Sequence, residues 1–203
     1  IYQTSTYAQS TPGGHKGYEY SRSANPTRTA LENALASLEN GNHGLAFASG
    51  LAALDAVIKL LEPGDEVISS NDLYGGSYRL FTKVFAKFGI VFHFVDMQNA
   101  NGITDHINEL TKLIWVETPT NPMMNIIDIS AVSQIAKQNQ ILLAVDNTFA
   151  TPYLQRPLEF GVDIVMHSAT KYLGGHSDVV AGALVVRDSN LAEKLRFIQN
   201  ATG

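Results

Sequence analysis

Short runs of successive apolar residues alternate along the chain with stretches whose apolar positions recur every three or four residues. The runs predict strands at Gly44 to Ala48, Glu66 to Ser70, Ile90 to Val95, Leu113 to Glu117, Ile141 to Asp146, Asp163 to His167 and Ala181 to Val186. The periodic stretches predict helices at Leu51 to Leu61, Ser77 to Phe88 and Ser130 to Gln138, with a last one from Leu191. An earlier helix opens at Asn25-Pro26, carries an apolar stripe of Leu31, Ala34, Leu35 and Leu38, and stops at Gly41. Strands and helices take turns, which is the pattern of an α/β domain. Because LIWVE, LLAVD and DIVMH are apolar on successive residues, both faces of the sheet must be covered. The expected architecture is a three-layer sandwich around a mostly parallel central sheet.

The 203 residues are 45% hydrophobic with no low-complexity run, enough for one large domain with its own core. A formal net charge of −5 leaves no broad basic face, so no nucleic acid partner is expected. No apolar run nears the roughly 20 residues of a membrane-spanning helix. The opening IYQTSTYAQS lacks the basic-then-apolar order of a secretory signal, so the expected setting is cytoplasmic, without a membrane partner. The absence of cysteine excludes disulfides, thiolate nucleophiles and thiolate metal ligands. His167, His176 and Asp178 lack the spacing of a metal motif, so no metal is expected. The sequence begins without Met and stops just after a helical pattern, so part of a longer protein is expected outside it.

A sandwiched parallel sheet binds ligands beyond the carboxyl ends of its strands. There, Ser49-Gly50-Leu51 opens a helix and makes either a tight connection or a phosphate cradle of bare amides reached past a glycine. Neither GxGxxG nor GxxxxGK is present, which leaves a smaller phosphorylated ligand. Tyr74, before Gly75-Gly76, is either a loop aromatic or a platform for a flat heterocycle. Asp146 ends an apolar strand, as a turn residue or as a carboxylate in need of a cation. In HSATKYLGGHSD, residues 167 to 178, Lys171 stands among small and hydroxyl residues, suited either to an ion pair or to Schiff-base chemistry. Jointly these features ask for one ligand with a phosphate, a flat ring, a basic ring nitrogen and a carbonyl. Pyridoxal 5′-phosphate (PLP) has all four.

The segments YEYSRSANPTR (18 to 28), FASGLAA (47 to 53), LYGGSYR (73 to 79), ETPTNP (117 to 122), VDNTFATP (145 to 152) and HSATKYLGGHSDVVAG (167 to 182) span essentially the whole chain. With them it resembles the Cys/Met-metabolism family of PLP-dependent enzymes: cystathionine γ-synthases, cystathionine γ- and β-lyases and methionine γ-lyases. The resemblance implies the large domain of a fold type I PLP enzyme, like that of aspartate aminotransferase. It implies three catalytic residues: Lys171, which bonds the cofactor as a Schiff base and then moves protons; Asp146, which keeps the ring nitrogen protonated; and Tyr74, which stacks on the ring and serves as acid or base. Ser49, the amides of Gly50 and Leu51, and the hydroxyls of Ser168 and Thr170 would surround the phosphate. Asn121 would contact the 3-oxygen, with Glu117 close by and Thr148 near the ring.

Residues 1–25 would form an arm whose Tyr20 and Arg22 complete the phosphate site of a neighbouring subunit, and residues 26–203 the PLP-binding domain. The active site would then belong to a homodimer, usually within a homotetramer. Gly76 stands where methionine γ-lyases typically carry cysteine, which argues against that branch. The family's C-terminal domain, whose arginine holds the substrate α-carboxylate, is absent from this sequence, so the chain is expected to hold cofactor better than substrate.

The runs GLAFASGLAA, WVETPTNP and LRFIQNATG resemble the γ-lyases, whereas YGGSYRLF resembles the γ-synthases. The favoured expectation is γ-elimination on L-cystathionine, a transsulfuration step giving cysteine, 2-oxobutyrate and ammonia. The alternatives are a γ-synthase that replaces the acyl group of an O-acylhomoserine by cysteine, then a β-lyase, then a catalytically silent fragment. A Schiff-base lysine enzyme without PLP, such as an aldolase, is more distant.

Overall fold

Asn25 caps the first helix, α1 (Pro26–Leu38), by accepting the amides of Thr27 (2.8 Å) and Arg28 (3.3 Å) on its side chain. Pro26 takes a position that needs no N–H. In the computed structural model, which describes residues 1–203, this helix corrects one expectation. Leu31 and Leu38 are half-exposed, and the buried face is Glu32, Leu35, Ala36 and, at the C-cap, Glu39. The apolar stripe was displaced because two of the four core-facing positions are carboxylates. Each is hydrogen-bonded: Glu32 accepts the Ala46 amide (2.9 Å) and the Gln199 side chain (3.2 Å), and Glu39 accepts Asn147 (2.8 Å). The turn out of α1 is taken by Asn40 at φ 55°, one residue ahead of Gly41.

The remaining elements follow in alternation: β1 (His43–Phe47), α2 (Gly50–Ile58), β2 (Glu66–Ser70), α3 (Gly75–Arg79), β3 (Val91–Val95), α4 (Asn101–Thr104), β4 (Thr111–Glu117), α5 (Ile129–Gln138), β5 (Leu142–Asp146), α6 (Thr151–Leu154), β6 (Ile164–His167), β7 (Gly182–Val186) and α7 (Ser189–Thr202). The single helix expected over residues 77 to 88 is composite. After α3 come a π-helical turn, Leu80–Val84, and a 3₁₀ turn, Phe85–Phe88, closed by Gly89 at φ 84°. Phe81 and Phe85 are both buried there, and Phe81 stacks on Phe92 with ring centroids 4.6 Å apart. The short helices α4 and α6 carry too few residues to show a periodic pattern in sequence.

The seven strands form one sheet in the order β1-β7-β6-β5-β4-β2-β3. Strands β3, β2, β4, β5 and β6 are parallel, while β7 runs antiparallel to both β6 and β1. Parallel neighbours need a crossover. No helix intervenes between β6 and β7, and the chain simply returns. Along β4, Leu113 and Trp115 pack on one face with α2 and α7 residues such as Leu54 and Leu195, while Ile114 and Val116 pack on the other with Leu35 and Val132. The result is the expected three-layer α/β sandwich. From β2 the chain steps out to β3 and then returns past β2 to β4, so the connections diverge and open a crevice at the carboxyl ends of the strands.

Residues 1 to 25 contain no helix or strand, only isolated pairings of Thr6 with Tyr20 and Thr11 with Gly14. No helix is long and apolar enough to cross a membrane.

Candidate active site

Helix α2 begins against the turn that follows β6. Its cap, Ser49, accepts the Ala52 amide on its hydroxyl (3.0 Å) and the Ala53 amide on its carbonyl (3.1 Å), which leaves the Gly50 and Leu51 amides without a protein acceptor. Glycine is required here for a close approach: a Cβ on Gly50 would lie 2.7 Å from that of Ser168. A Cβ on Gly182, at the start of β7, would meet the Ser49 carbonyl. These contacts bring two open amides and the positive end of a helix dipole beside the hydroxyls of Ser168 and Thr170. The turn is tied in place at its neck. The Thr170 amide (3.2 Å) and hydroxyl (3.1 Å) both donate to the Ala181 carbonyl, and the Ala181 amide returns a bond to the Thr170 hydroxyl (3.1 Å).

The other wall is formed by β4 and β5. Glu117 and Asp146 end these strands and are buried. Burial pushes Asp146 above the ordinary carboxylate range, against hydrogen bonds from the Thr148 side chain and amide and the pull of the His167 imidazole. Burial, and next to it the charges of Asp146 and Asp72, push Glu117 up to about 8. Glu117 also accepts the Tyr74 amide (2.9 Å), which fixes the start of α3. The Tyr74 ring lies over Gly76, where any Cβ would collide with it. Thr148 joins the strand ends by accepting the Ser168 amide on its hydroxyl (2.8 Å). Asp72 holds the segment that carries Asn121, accepting the Thr120 hydroxyl and the Met123 amide (3.1 Å).

Between these walls is a cavity of about 410 Å³. It brings together Ser49, Gly50, Leu51, Tyr74, Glu117, Asn121, Asp146, Thr148, Ser168, Thr170 and Lys171. Sequence reasoning missed Ser77, Pro119, Phe149, Met166 and Val180, which also line it. All but Met166 lie within the motifs quoted above, and Met166 directly precedes the last of them. Their signal was only proximity, since an apolar or small wall has no distinctive chemistry. Tyr20 and Arg22 do not line the cavity. They are exposed, with the guanidinium over the tyrosine ring at 5.5 Å and bonded to Asn200 in α7. The histidines considered for a metal are separated: His167 is buried against Glu39, while His176 is exposed and no cluster that could hold a metal is present.

The donor set fits PLP. Asp146 and Glu117 are buried without any lysine or arginine paired to them, so the protonated ring nitrogen of a ligand would supply a missing cation. The open amides and the Ser168 hydroxyl at the α2 end suit a phosphate, which the Thr170 hydroxyl would join by turning its proton from the Ala181 carbonyl. The Lys171 amine, exposed at the rim, is in no ion pair.

A family model described as Cys/Met metabolism PLP-dependent enzyme matches residues 1–203. A cystathionine β-lyase of Coxiella burnetii is 54% identical, aligned over 100% of this chain and 53% of its own length. A probable cystathionine γ-synthase of Herpetosiphon aurantiacus is 53% identical over 100% of this chain and 64% of its own. The crystal structure of cystathionine γ-lyase from Lactobacillus plantarum complexed with L-serine matches with a TM-score of 0.97 and 48% identity, over 100% of this chain and 53% of that one. The chain thus spans between about half and two thirds of the length of these relatives.

Proposed function

The chain belongs to the Cys/Met-metabolism family of PLP-dependent enzymes, and from that premise we propose γ-elimination on L-cystathionine, giving cysteine, 2-oxobutyrate and ammonia. Its sheet has the fold type I architecture of those enzymes. The observation that carries the chemistry is Asp146, a buried carboxylate facing the cavity with no cationic side chain paired to it. The substrate rests on cystathionine being common to the names of the relatives.

Bound PLP supplies electron withdrawal from the α-carbon of an amino acid. Asp146 would hold the proton on the ring nitrogen, which a carboxylate can do only if it stays ionised. The Gly50 and Leu51 amides and the Ser168 and Thr170 hydroxyls would bind the phosphate, with Ser49 beside them and Tyr20 and Arg22 contributed by a second copy of the chain. Tyr74 and Thr148 would hold the ring, and Asn121 and Glu117 would serve its 3-oxygen. Lys171 would take the proton from Cα, pass it on and, neutral again, take a second one from Cβ. As the bond between Cγ and sulfur breaks, the Tyr74 hydroxyl delivers a proton to the departing cysteine sulfur. Overall, cystathionine and water give cysteine, 2-oxobutyrate and ammonia.

The γ-synthase reading is kept because the probable γ-synthase is within one percentage point of the β-lyase in identity, 53% against 54%. Mass spectrometry of the products from the purified, PLP-loaded whole protein tests the proposal. Cysteine with 2-oxobutyrate from L-cystathionine is the expected result. Homocysteine with pyruvate would replace it by β-elimination, and formation of cystathionine from cysteine and an O-acylhomoserine without its breakdown would replace it by the synthase.

A further inference from the structure

The turn that carries Arg22 is set by a residue outside it. Residues 20 to 24 belong to the arm, which has no helix or strand to fix its path. The Tyr20 carbonyl accepts the Ser23 and Ala24 amides (3.0 Å each), which closes the turn on itself. The next three carbonyls, of Ser21, Arg22 and Ser23, accept no backbone amide. All three face one guanidinium: Arg28 Nη1 donates to Ser21 and Arg22 (3.1 Å each), and Nη2 donates to Ser23 (2.8 Å).

Arg28 is itself anchored. Its Nε lies 3.6 Å from Oε1 of the buried Glu32, one turn further along α1. The same oxygen accepts the Ala46 amide of β1 (2.9 Å) and the Gln199 side chain of α7 (3.2 Å). A planar guanidinium, with its donors in fixed directions, can hold three carbonyls at once, which the point charge of a lysine cannot. The Arg22 side chain is held differently, since it hydrogen-bonds only to Asn200, at the surface of α7. It can leave Asn200 while its backbone stays where Arg28 holds it. We propose that Arg28, steadied by Glu32, is a positioning residue for the phosphate site of a second copy of the chain: it sets the turn from which Tyr20 and Arg22 reach that site. The inference rests on the reading of Tyr20 and Arg22 as phosphate residues contributed by a neighbouring copy. Arg28 does not line the cavity, so its effect on the cofactor passes through the turn and falls on the phosphate.

The test compares the dissociation constants of PLP and of pyridoxal, which lacks the phosphate, for the purified whole protein in wild type, Arg28→Lys and Tyr20→Phe/Arg22→Ala. Arg28→Lys keeps a cation beside Glu32 and removes the fork that spans the carbonyls. Its PLP dissociation constant should rise about tenfold, on the scale of one lost hydrogen bond to a charged group, while that of pyridoxal stays put. Added to Tyr20→Phe/Arg22→Ala, it should cost nothing further. A loss equal for both ligands, or one that persists in full in the Tyr20→Phe/Arg22→Ala background, would make Arg28 a support of the fold alone and overturn the inference. Wild-type PLP binding by Arg28→Lys, with weak binding by Tyr20→Phe/Arg22→Ala, overturns it too and leaves the reading of the arm standing. Wild-type binding by Tyr20→Phe/Arg22→Ala overturns that reading and the inference with it. Should Arg28→Lys not fold, Glu32→Gln, which keeps the acceptor for Ala46 and Gln199 but releases Arg28, is read in the same way.

Discussion

Glu117 and Asp146 stand opposite each other in register, at the ends of the neighbouring parallel strands β4 and β5, and both line the same cavity. Two carboxylates this close in a poorly hydrated place cannot both ionise cheaply. The pair therefore retains a proton well above the usual carboxylate range, as the value of about 8 for Glu117 reflects.

That proton gives the cofactor-free protein a pH-dependent stability. Glu117 binds its proton more tightly folded, at about 8, than unfolded, near 4.5. Below the unfolded value both states are protonated. Between the two values only the unfolded state ionises freely, so stability should fall as pH rises through this window. Glu117→Gln should flatten the fall, with a gain on the order of a few kcal/mol at high pH and little at pH 4. Urea denaturation of the cofactor-free protein at both pH values checks this, and equal gains at the two would refute it.

Lys171→Ala should leave PLP without a covalent attachment point and remove the base. Borohydride treatment followed by intact-mass measurement should retain no cofactor, and turnover should drop by about 10²- to 10⁴-fold or more. A wild-type rate would take proton transfer away from Lys171.

Gly50→Ala places a methyl 2.7 Å from the Ser168 Cβ, so the start of α2 must retreat from the hydroxyls beside it. Overpacking of this kind costs about 1–3 kcal/mol, which corresponds to roughly 5- to 150-fold in PLP affinity if it falls on the bound state. Equilibrium binding followed by cofactor absorbance measures it, and an unchanged dissociation constant would show that this end of α2 does not hold the phosphate.

Arg22→Ala and Lys171→Ala damage the same site from different copies of the chain if Arg22 acts on its neighbour. Each variant alone should be nearly inactive. Mixed and allowed to exchange subunits, half the dimers carry one intact site of two, so about a quarter of wild-type activity should return. No recovery after proven exchange would place Arg22 in its own subunit's site.

The apolar runs marked every strand to within about two residues, most plainly β4, β5 and β6, which are covered on both faces and apolar nearly throughout. The polar residues just past those runs proved to be the cavity wall for a related reason: where a covered strand ends, side chains meet the ligand crevice. What stayed hidden depends on distant pairing. Glu39 and His167 are 128 residues apart, and nothing near Glu39 in sequence marks it as core. On α1, Glu32 and Glu39 looked like surface charge and drew the predicted stripe onto Leu31 and Leu38. The antiparallel β7 was equally silent, since direction follows from the path of residues 168 to 181 and not from the composition of GALVV.

The knot between Thr170 and Ala181 divides the Lys171 turn into parts with different freedoms. The span from Tyr172 to Val180 leaves and re-enters the sheet through that closed neck and is largely exposed. Gly174 and Gly175 bond back to the Ala169 (2.8 Å) and Lys171 (2.7 Å) carbonyls, so the part free to lengthen or change shape without touching these rungs begins at His176. Its last residue, Val180, lines the cavity mouth. Selection can therefore act on what the mouth admits while the position of the amine is inherited unchanged.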